Sequence, residues 1–316
     1  MDFLRTAALD QARCLVAGTE EIAWQVKAAR TLRIKRTSSI ATCLTALAAL
    51  VGCGNPPYPK GSAEQLFGDA KVPTIAQQVV RGQIISTASV LGELKKGATA
   101  NNTLLLFVHG SPGDWKAWSY YLKAPELAGY ASRVAVDRPG FGASNPGQVL
   151  PDLRQQAALL TALIPTGQKA IVVGHSLGGP LAAWMAIDAP GKVCAAVSIA
   201  GSLASVFEEP RWYNQLADFA LLRWAVPQQM AWSNQEMMPL ATELRKLEAA
   251  FGQLRTPLLL IQGGKDSLVD PKTVDEVQKR APAAWLKAMR LPTETHFVLW
   301  EKPQIVVNAI KDMPCV

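Results

Sequence analysis

The sequence predicts a doubly wound α/β domain with a mostly parallel sheet and one helical insertion. Three observations predict it. Short apolar, β-branched runs end at Gly, Pro or polar turn residues and alternate with helical patterns. Those runs lack polar alternation, which fits strands buried on both faces of a sheet covered by helices. One long segment, at about 203–254, breaks this rhythm and holds no strand.

The elements follow in order. The β-rich stretch 79–90 opens the domain as antiparallel strands. A strand at 103–108 ends at His109-Gly110-Ser111-Pro112-Gly113, and one at 134–136 ends at Asp137-Arg138-Pro139-Gly140. Strands at 170–173, 195–200 and 257–261 end at Gly174, Gly201 and Gln262-Gly263-Gly264. A last strand spans 284–291. Helical patterns occupy 114–127, 150–163, 176–189 and 272–280, and a final helix starts at about Glu301. In such sheets the reacting groups gather at the C-terminal ends of the strands. The insertion is rich in large apolar side chains, including Phe207, Trp212, Tyr213, Phe219, Trp224, Met230, Trp232, Met237 and Met238. Ordinary helix packing accounts for them, and so does a lid over an apolar pocket lined by Trp212, Phe219, Trp224 and Met230.

Composition narrows the function classes. The chain has 316 residues, 49% hydrophobic and 18% charged, with mean hydropathy +0.10. That excludes a disordered chain. The net charge of +7 raises nucleic acid or an anionic membrane as partners. Residues 1–52 carry +3 of it, leaving +4 on the remainder, where no long basic run or phosphate-binding Gly loop occurs. Nucleic acid is therefore not an expected partner. Five cysteines make neither a disulfide scaffold nor a paired zinc spacing. Cys194 and Cys315 could pair in an oxidising compartment, but nothing in the sequence brings them together and no bond is expected.

The first 52 residues read as a leader. Arg30, Arg33, Lys35 and Arg36 precede an apolar run at 40–51, which ends in Gly52-Cys53. A basic region, a short apolar core and small residues at a cut site make an export signal. The run is shorter than the roughly 20 residues a membrane span needs. Leu50-Val51-Gly52-Cys53 resembles the lipobox of bacterial lipoproteins, which implies cleavage before Cys53 and lipid attachment to it. The chain would then be anchored in a bacterial cell envelope. Simple signal cleavage, an uncleaved anchor and a cytosolic chain are the alternatives. The Pro- and Gly-rich stretch that follows reads as an extended tether over 53–75, with the main domain at 76–316. A 52-residue signal exceeds the usual length of about 15–30. No Met lies between Met1 and Met185. Residues 1–25 are therefore expected to lie upstream of the true start, at a codon such as that of Val26 or Leu32.

The chemistry concentrates in a few residues. Gly174-His175-Ser176-Leu177-Gly178 is a G-x-S-x-G sequence between a buried strand and a helical run, the context a nucleophile elbow requires. Only three histidines are present: His109, His175 and His296. His175 adjoins Ser176, so its side chain should diverge, and His109 belongs to a strand-end loop. His296 follows the last strand and is the expected base. The carboxylate that fixes its tautomer should be Asp266, just beyond the 257–261 strand. Asp270, before Pro271, reads as the cap of the next helix and is the alternative. The oxyanion of acyl attack needs two N–H donors. The backbone of Leu177 supplies one, and Ser111 the other because Pro112 has no N–H.

Five ordered motifs, His109 to Gly113, Asp137 to Ser144, Gly174 to Gly179, Gly263 to Asp266 and Thr295 to Phe297, make the chain resemble the α/β-hydrolase fold family. The Asp137 to Ser144 stretch reads as a structural turn. The resemblance implies an acyl-enzyme mechanism without metal or organic cofactor. Members that open epoxides or remove halogens carry Asp at the elbow, so Ser176 argues against those reactions. The expected substrate is a small or hydrophobic carboxylic ester. Amidase, aminopeptidase or carbon–carbon hydrolase chemistry on the same fold, and a non-catalytic ligand-binding lipoprotein, are the alternatives. Glu208-Glu209 keep the aminopeptidase reading open. The sequence is silent on oligomeric state.

Overall fold

The computed structural model describes residues 58–92, 101–210, 214 and 226–315. Among these, eight strands form one sheet. They are β1 (Thr74–Val80), β2 (Gln83–Leu91), β3 (Asn101–Val108), β4 (Tyr130–Val136), β5 (Lys169–His175), β6 (Val193–Ile199), β7 (Leu258–Gly263) and β8 (Leu286–Leu291). Their order across the sheet is β1-β2-β4-β3-β5-β6-β7-β8. β1–β2 and β2–β4 pair antiparallel, and all other pairs are parallel. The β1–β2 hairpin closes at Arg81 and Gly82, both at positive φ, the conformation that suits a two-residue hairpin loop.

The helices are α1 (Ala63–Phe67), α2 (Ser119–Lys123), α3 (Leu153–Ala162), α4 (Gly178–Asp188), α5 (Gln228–Met237), α6 (Leu240–Ala250), α7 (Thr273–Gln278), α8 (Val298–Glu301) and α9 (Pro303–Lys311). They cover both faces of the sheet, which explains the unbroken apolar runs. Along β3, Leu104, Leu106 and Val108 join the core with Leu160 of α3 and Trp184 of α4. Leu105 and Phe107 join the other core with Trp118, Tyr121 and Ile310. Successive side chains of a strand point to opposite faces, so both sets must be apolar.

Four expectations need correction. The helix read at 114–127 is broken into a 3-10 turn at Trp115–Trp118, α2, and a second 3-10 turn at Pro125–Leu127. Ala124 is extended because the Pro125 ring disfavours helical backbone before it. The tether read at 53–75 is partly folded onto the domain, whose compact unit runs Pro57–Val316. Ser62 and Gln65 close a capping box on α1, and Phe67 is buried against Trp115. Tyr58 Oη donates to Asp114 Oδ1 at 2.8 Å and accepts the Asp114 N–H at 2.8 Å. Composition suggested a linker, whereas two aromatic side chains anchor this stretch. The Cys194–Cys315 bond, not expected, is present and joins the start of β6 to the C-terminal segment. Asp270 accepts the Lys272 N–H in a turn, two residues before the helix cap, which is Lys272.

Between β6 and β7 the described residues hold no strand. They carry a 3-10 turn at Ser205–Phe207, α5, α6 and a 3-10 turn at Phe251–Gln253. Leu244, Leu247 and Phe251 tie this insertion into the main core. No helix among the described residues is long and apolar enough to cross a membrane. Cys53 and the leader lie outside the described residues, as do Trp212, Phe219 and Trp224.

Candidate active site

Ser176 sits where β5 turns into α4. Its φ is +52°, a left-handed conformation that side chains other than glycine adopt at a cost. The turn is held by backbone: the Ser176 N–H donates to Ile199 O of β6, and Gly179 N–H donates to Ser176 O, both at 2.9 Å. The flanking glycines are sterically required. A Cβ on Gly174 would lie 2.0 Å from Gly178 O, and one on Gly178 would lie 2.3 Å from Val108 O. The sequence spacing G-x-S-x-G thus encodes how closely β5, α4 and β3 converge.

Two loops at the same end of the sheet bring His296 and Asp266 together. His296 Nδ1 lies 2.9 Å from Asp266 Oδ2 and 3.1 Å from Oδ1. The carboxylate also accepts N–H bonds from Leu268 and Val269, each at 2.9 Å, and from Gln262 Nε2 at 3.0 Å. An ionised carboxylate only accepts, so Nδ1 of His296 carries a proton and donates it. In the neutral imidazole, Nε2 is then the free base. Both residues are buried.

The other two histidines have different tasks. The His175 side chain reaches the His296 loop. Its Nε2–H donates to the His296 carbonyl at 3.0 Å, and the two rings lie 4.8 Å apart. Burial, reinforced by the nearby His296, pushes the His175 pKa down to about 3. It is neutral at working pH and unfit as a base. His109 is fully buried, and burial followed by the Arg138 charge holds its pKa well below the usual value. Its Nε2 accepts the Arg138 backbone N–H at 3.0 Å, so Nδ1 is the protonated nitrogen and donates to Gly110 O at 2.6 Å.

Gly110 presses against Ser176: a Cβ there would lie 2.9 Å from Ser176 Cβ. That close approach needs glycine and brings the following Ser111 to the site. Leu177, the other expected oxyanion donor, is the N-cap residue of α4. N–H groups in a helix's first turn lack intrahelical acceptors. Met230 stands in the first turn of α5 and is 49% exposed.

Several residues at this site escaped the sequence reading. Ser111 Oγ donates to Ser233 Oγ of α5 at 3.0 Å. Arg138, read as part of a structural turn, is completely buried and forms a two-pronged ion pair with Glu236 of α5, at 2.7 and 2.8 Å. Gln156 of α3 joins it, accepting from Arg138 and donating to Glu236 at 3.0 Å each. Ser233 and Glu236 stand three apart and so share a helix face, but two polar residues at that spacing fit a solvated face and gave no sign of burial. Asp137 accepts N–H bonds from Trp115 and Ala143, and its burial pushes its pKa up to about 6. It braces the turn that carries Arg138.

The sequence model of the alpha/beta hydrolase family matches residues 105–309, more than half of the chain. The chain belongs to the alpha/beta hydrolase family. One relative, the dihydrolipoyllysine-residue acetyltransferase component of an acetoin cleaving system from Cupriavidus necator, is 41% identical over 101 residues. The match covers 31% of this chain and 26% of that protein. The chain thus spans about a quarter of that relative's length. A pimeloyl-[acyl-carrier protein] methyl ester esterase from Proteus mirabilis is 33% identical over 100 residues, covering 32% of this chain and 37% of that one. Among solved structures, a lipase-esterase related protein from Clostridium acetobutylicum superposes with TM-score 0.55 at 18% identity, covering 72% of this chain and 99% of that one. At that identity the likeness is one of fold.

Proposed function

We propose that this α/β hydrolase is a serine hydrolase that cleaves a carboxylic ester through an acyl-enzyme. The observation that carries the proposal is the buried His296–Asp266 pair beside an elbow whose φ-strained residue is Ser176. Ser176 Oγ attacks the ester carbonyl while His296 Nε2 takes its proton. Asp266 holds the imidazole tautomer and stabilises the imidazolium. The N–H groups of Leu177 and Ser111 stabilise the oxyanion. His296 then returns the proton to the leaving alcohol. Water, activated by the same nitrogen, releases the acid in the second half. Each step uses this chain's own residues.

An ester is favoured over an amide of a free amino terminus. Glu209, one of the pair that could bind such an amine, is already paired with Arg245 at 2.6 Å. The helical insertion is proposed as the lid over the site, its apolar side chains selecting an uncharged acyl group. The proposal extends to location. The Leu50 to Cys53 sequence suits a lipid-anchored protein of a bacterial envelope, and the Cys194–Cys315 bond suits an oxidising compartment. Turnover of a panel of p-nitrophenyl esters and aminoacyl p-nitroanilides tests the substrate class. Ester turnover with silent anilides is expected, and the reverse preference would replace the ester reading.

A further inference from the structure

The buried ion pair between the insertion and the domain ends on the backbone of the proposed oxyanion loop. Arg138 Nη1 and Nη2 hold the two oxygens of Glu236. Nη2 also donates to Gly110 O at 3.1 Å, and His109 Nδ1 donates to the same oxygen at 2.6 Å. Gly110 O therefore has two fixed donors on one side. The Gly110–Ser111 peptide is planar and trans, so its C=O and N–H point in opposite directions. Fixing the carbonyl fixes the direction of the Ser111 N–H.

We infer that Arg138 and Glu236 are positioning residues for the oxyanion hole. Glu236, on α5 of the insertion, holds the Arg138 guanidinium in place. Arg138 in turn holds the Gly110 carbonyl, and the Ser111 N–H on the far side of that peptide is aimed at the developing oxyanion. Glu236 shares its helix face with Ser233, which contacts the Ser111 side chain. Trp232, one turn before Glu236, lies against Gly147 in the loop that follows the Arg138 turn. The helix thus touches this loop directly through Ser233 and reaches it from Glu236 through Arg138. Docking of α5 then completes the hold on this peptide, and an undocked insertion leaves Arg138, one of the two donors to Gly110 O, without its carboxylate anchor.

The chemistry explains why arginine is needed. A guanidinium has a planar array of five donors and can serve a carboxylate and a carbonyl together. A lysine ammonium has no such fork. The pair is also buried as a pair, so removing one partner strands the other's charge. The inference rests on the proposed roles of Ser176 and the Ser111 amide.

The test uses the whole chain with p-nitrophenyl butyrate as substrate and butyl trifluoromethyl ketone as a transition-state mimic. Addition of Ser176 to that ketone places an oxyanion in the hole, whereas butyl methyl ketone reports ground-state binding. Two variants are compared: R138K, which keeps the charge, and R138M/E236L, which removes both charges so that neither is stranded. Each is expected to lose about 10- to 100-fold in kcat, less than deleting an oxyanion donor outright. Affinity for the trifluoromethyl ketone should fall by the same factor, with KM and methyl ketone affinity within about 2-fold of the parent. A merely structural role would not produce that split. Wild-type kcat and trifluoromethyl ketone affinity in either folded variant would overturn the inference, as would equal losses for both ketones. Failure of the underlying serine mechanism reads differently, as turnover surviving Ser176→Ala.

Discussion

The two sides of Ser176 are built by different means. On one side, His296 and Asp266 stand on loops that leave β8 and β7, and the carboxylate is held by the backbone N–H groups of Leu268 and Val269. On the other, the Gly110–Ser111 peptide is held by side chains, Arg138 and His109, and through Arg138 by Glu236 of the insertion. The first side depends on local loop geometry within about 30 residues of chain. The second depends on a contact 98 residues apart in sequence. A local side should tolerate changes in the insertion, and a long-range side should not.

The largest expected effect falls at the centre, where both sides meet. Ser176→Ala should lower ester kcat by about 10⁶-fold if the triad acts as a unit. Steady-state assays of purified protein check this. On the loop side, Asp266→Asn should cost about 10⁴-fold in kcat with little change in fold, because the amide favours the wrong His296 tautomer. Activity retained within tenfold would show that Asp266 is not the tautomer-fixing group. On the insertion side, Glu236→Ala should be dominated by stability. It strands a buried guanidinium and should cost roughly 3–5 kcal/mol in urea unfolding. A loss under about 1 kcal/mol would mean that Arg138 is solvated or paired otherwise.

Two smaller effects separate the site from its support. His175 is neutral when folded, with its pKa pushed down to about 3, whereas an exposed histidine titrates near 6.5. The unfolded chain therefore binds more protons between those values, so stability falls as pH drops through that window. Asp137, raised to about 6, works the other way: its protonated form favours the fold below about 4, and this is lost as pH rises to 6. The His175 displacement is the larger of the two, and buried His109 shifts in the same direction as His175. Stability should fall by roughly 3 kcal/mol between pH 6.5 and 4 from His175 alone. His175→Asn should flatten that dependence in thermal melts. Cys315→Ser, at the opposite end of the sheet from Ser176, should cost roughly 2–5 kcal/mol of stability while leaving kcat/KM within twofold. A tenfold loss of activity would tie the two ends of the sheet together.

How much of this was legible in the sequence follows the same division. Strands β3 to β7 showed as apolar runs because both faces of each are buried. The elbow showed because glycines at 174 and 178 are demanded by backbone contacts. His296 and Asp266 could be chosen because few histidines compete and each follows a strand. The Asp114 helix failed because Pro125 and the extended Ala124 outweigh helical periodicity. The partly folded tether failed because Pro and Gly content hides the anchoring by Tyr58 and Phe67. Arg138 and Glu236 were illegible for a different reason. A single arginine and a single glutamate look like surface residues until tertiary packing removes both from water. The Cys194–Cys315 bond has the same character, since only the fold brings the C-terminal segment beside the start of β6.

The serine mechanism is tested most directly by reacting the whole protein with a fluorophosphonate and locating the adduct by mass spectrometry. A single phosphonyl group on the peptide carrying Ser176 is expected, with labelling abolished in Ser176→Ala and strongly slowed in His296→Ala. Labelling at another residue, or equal labelling of Ser176→Ala, would contradict it.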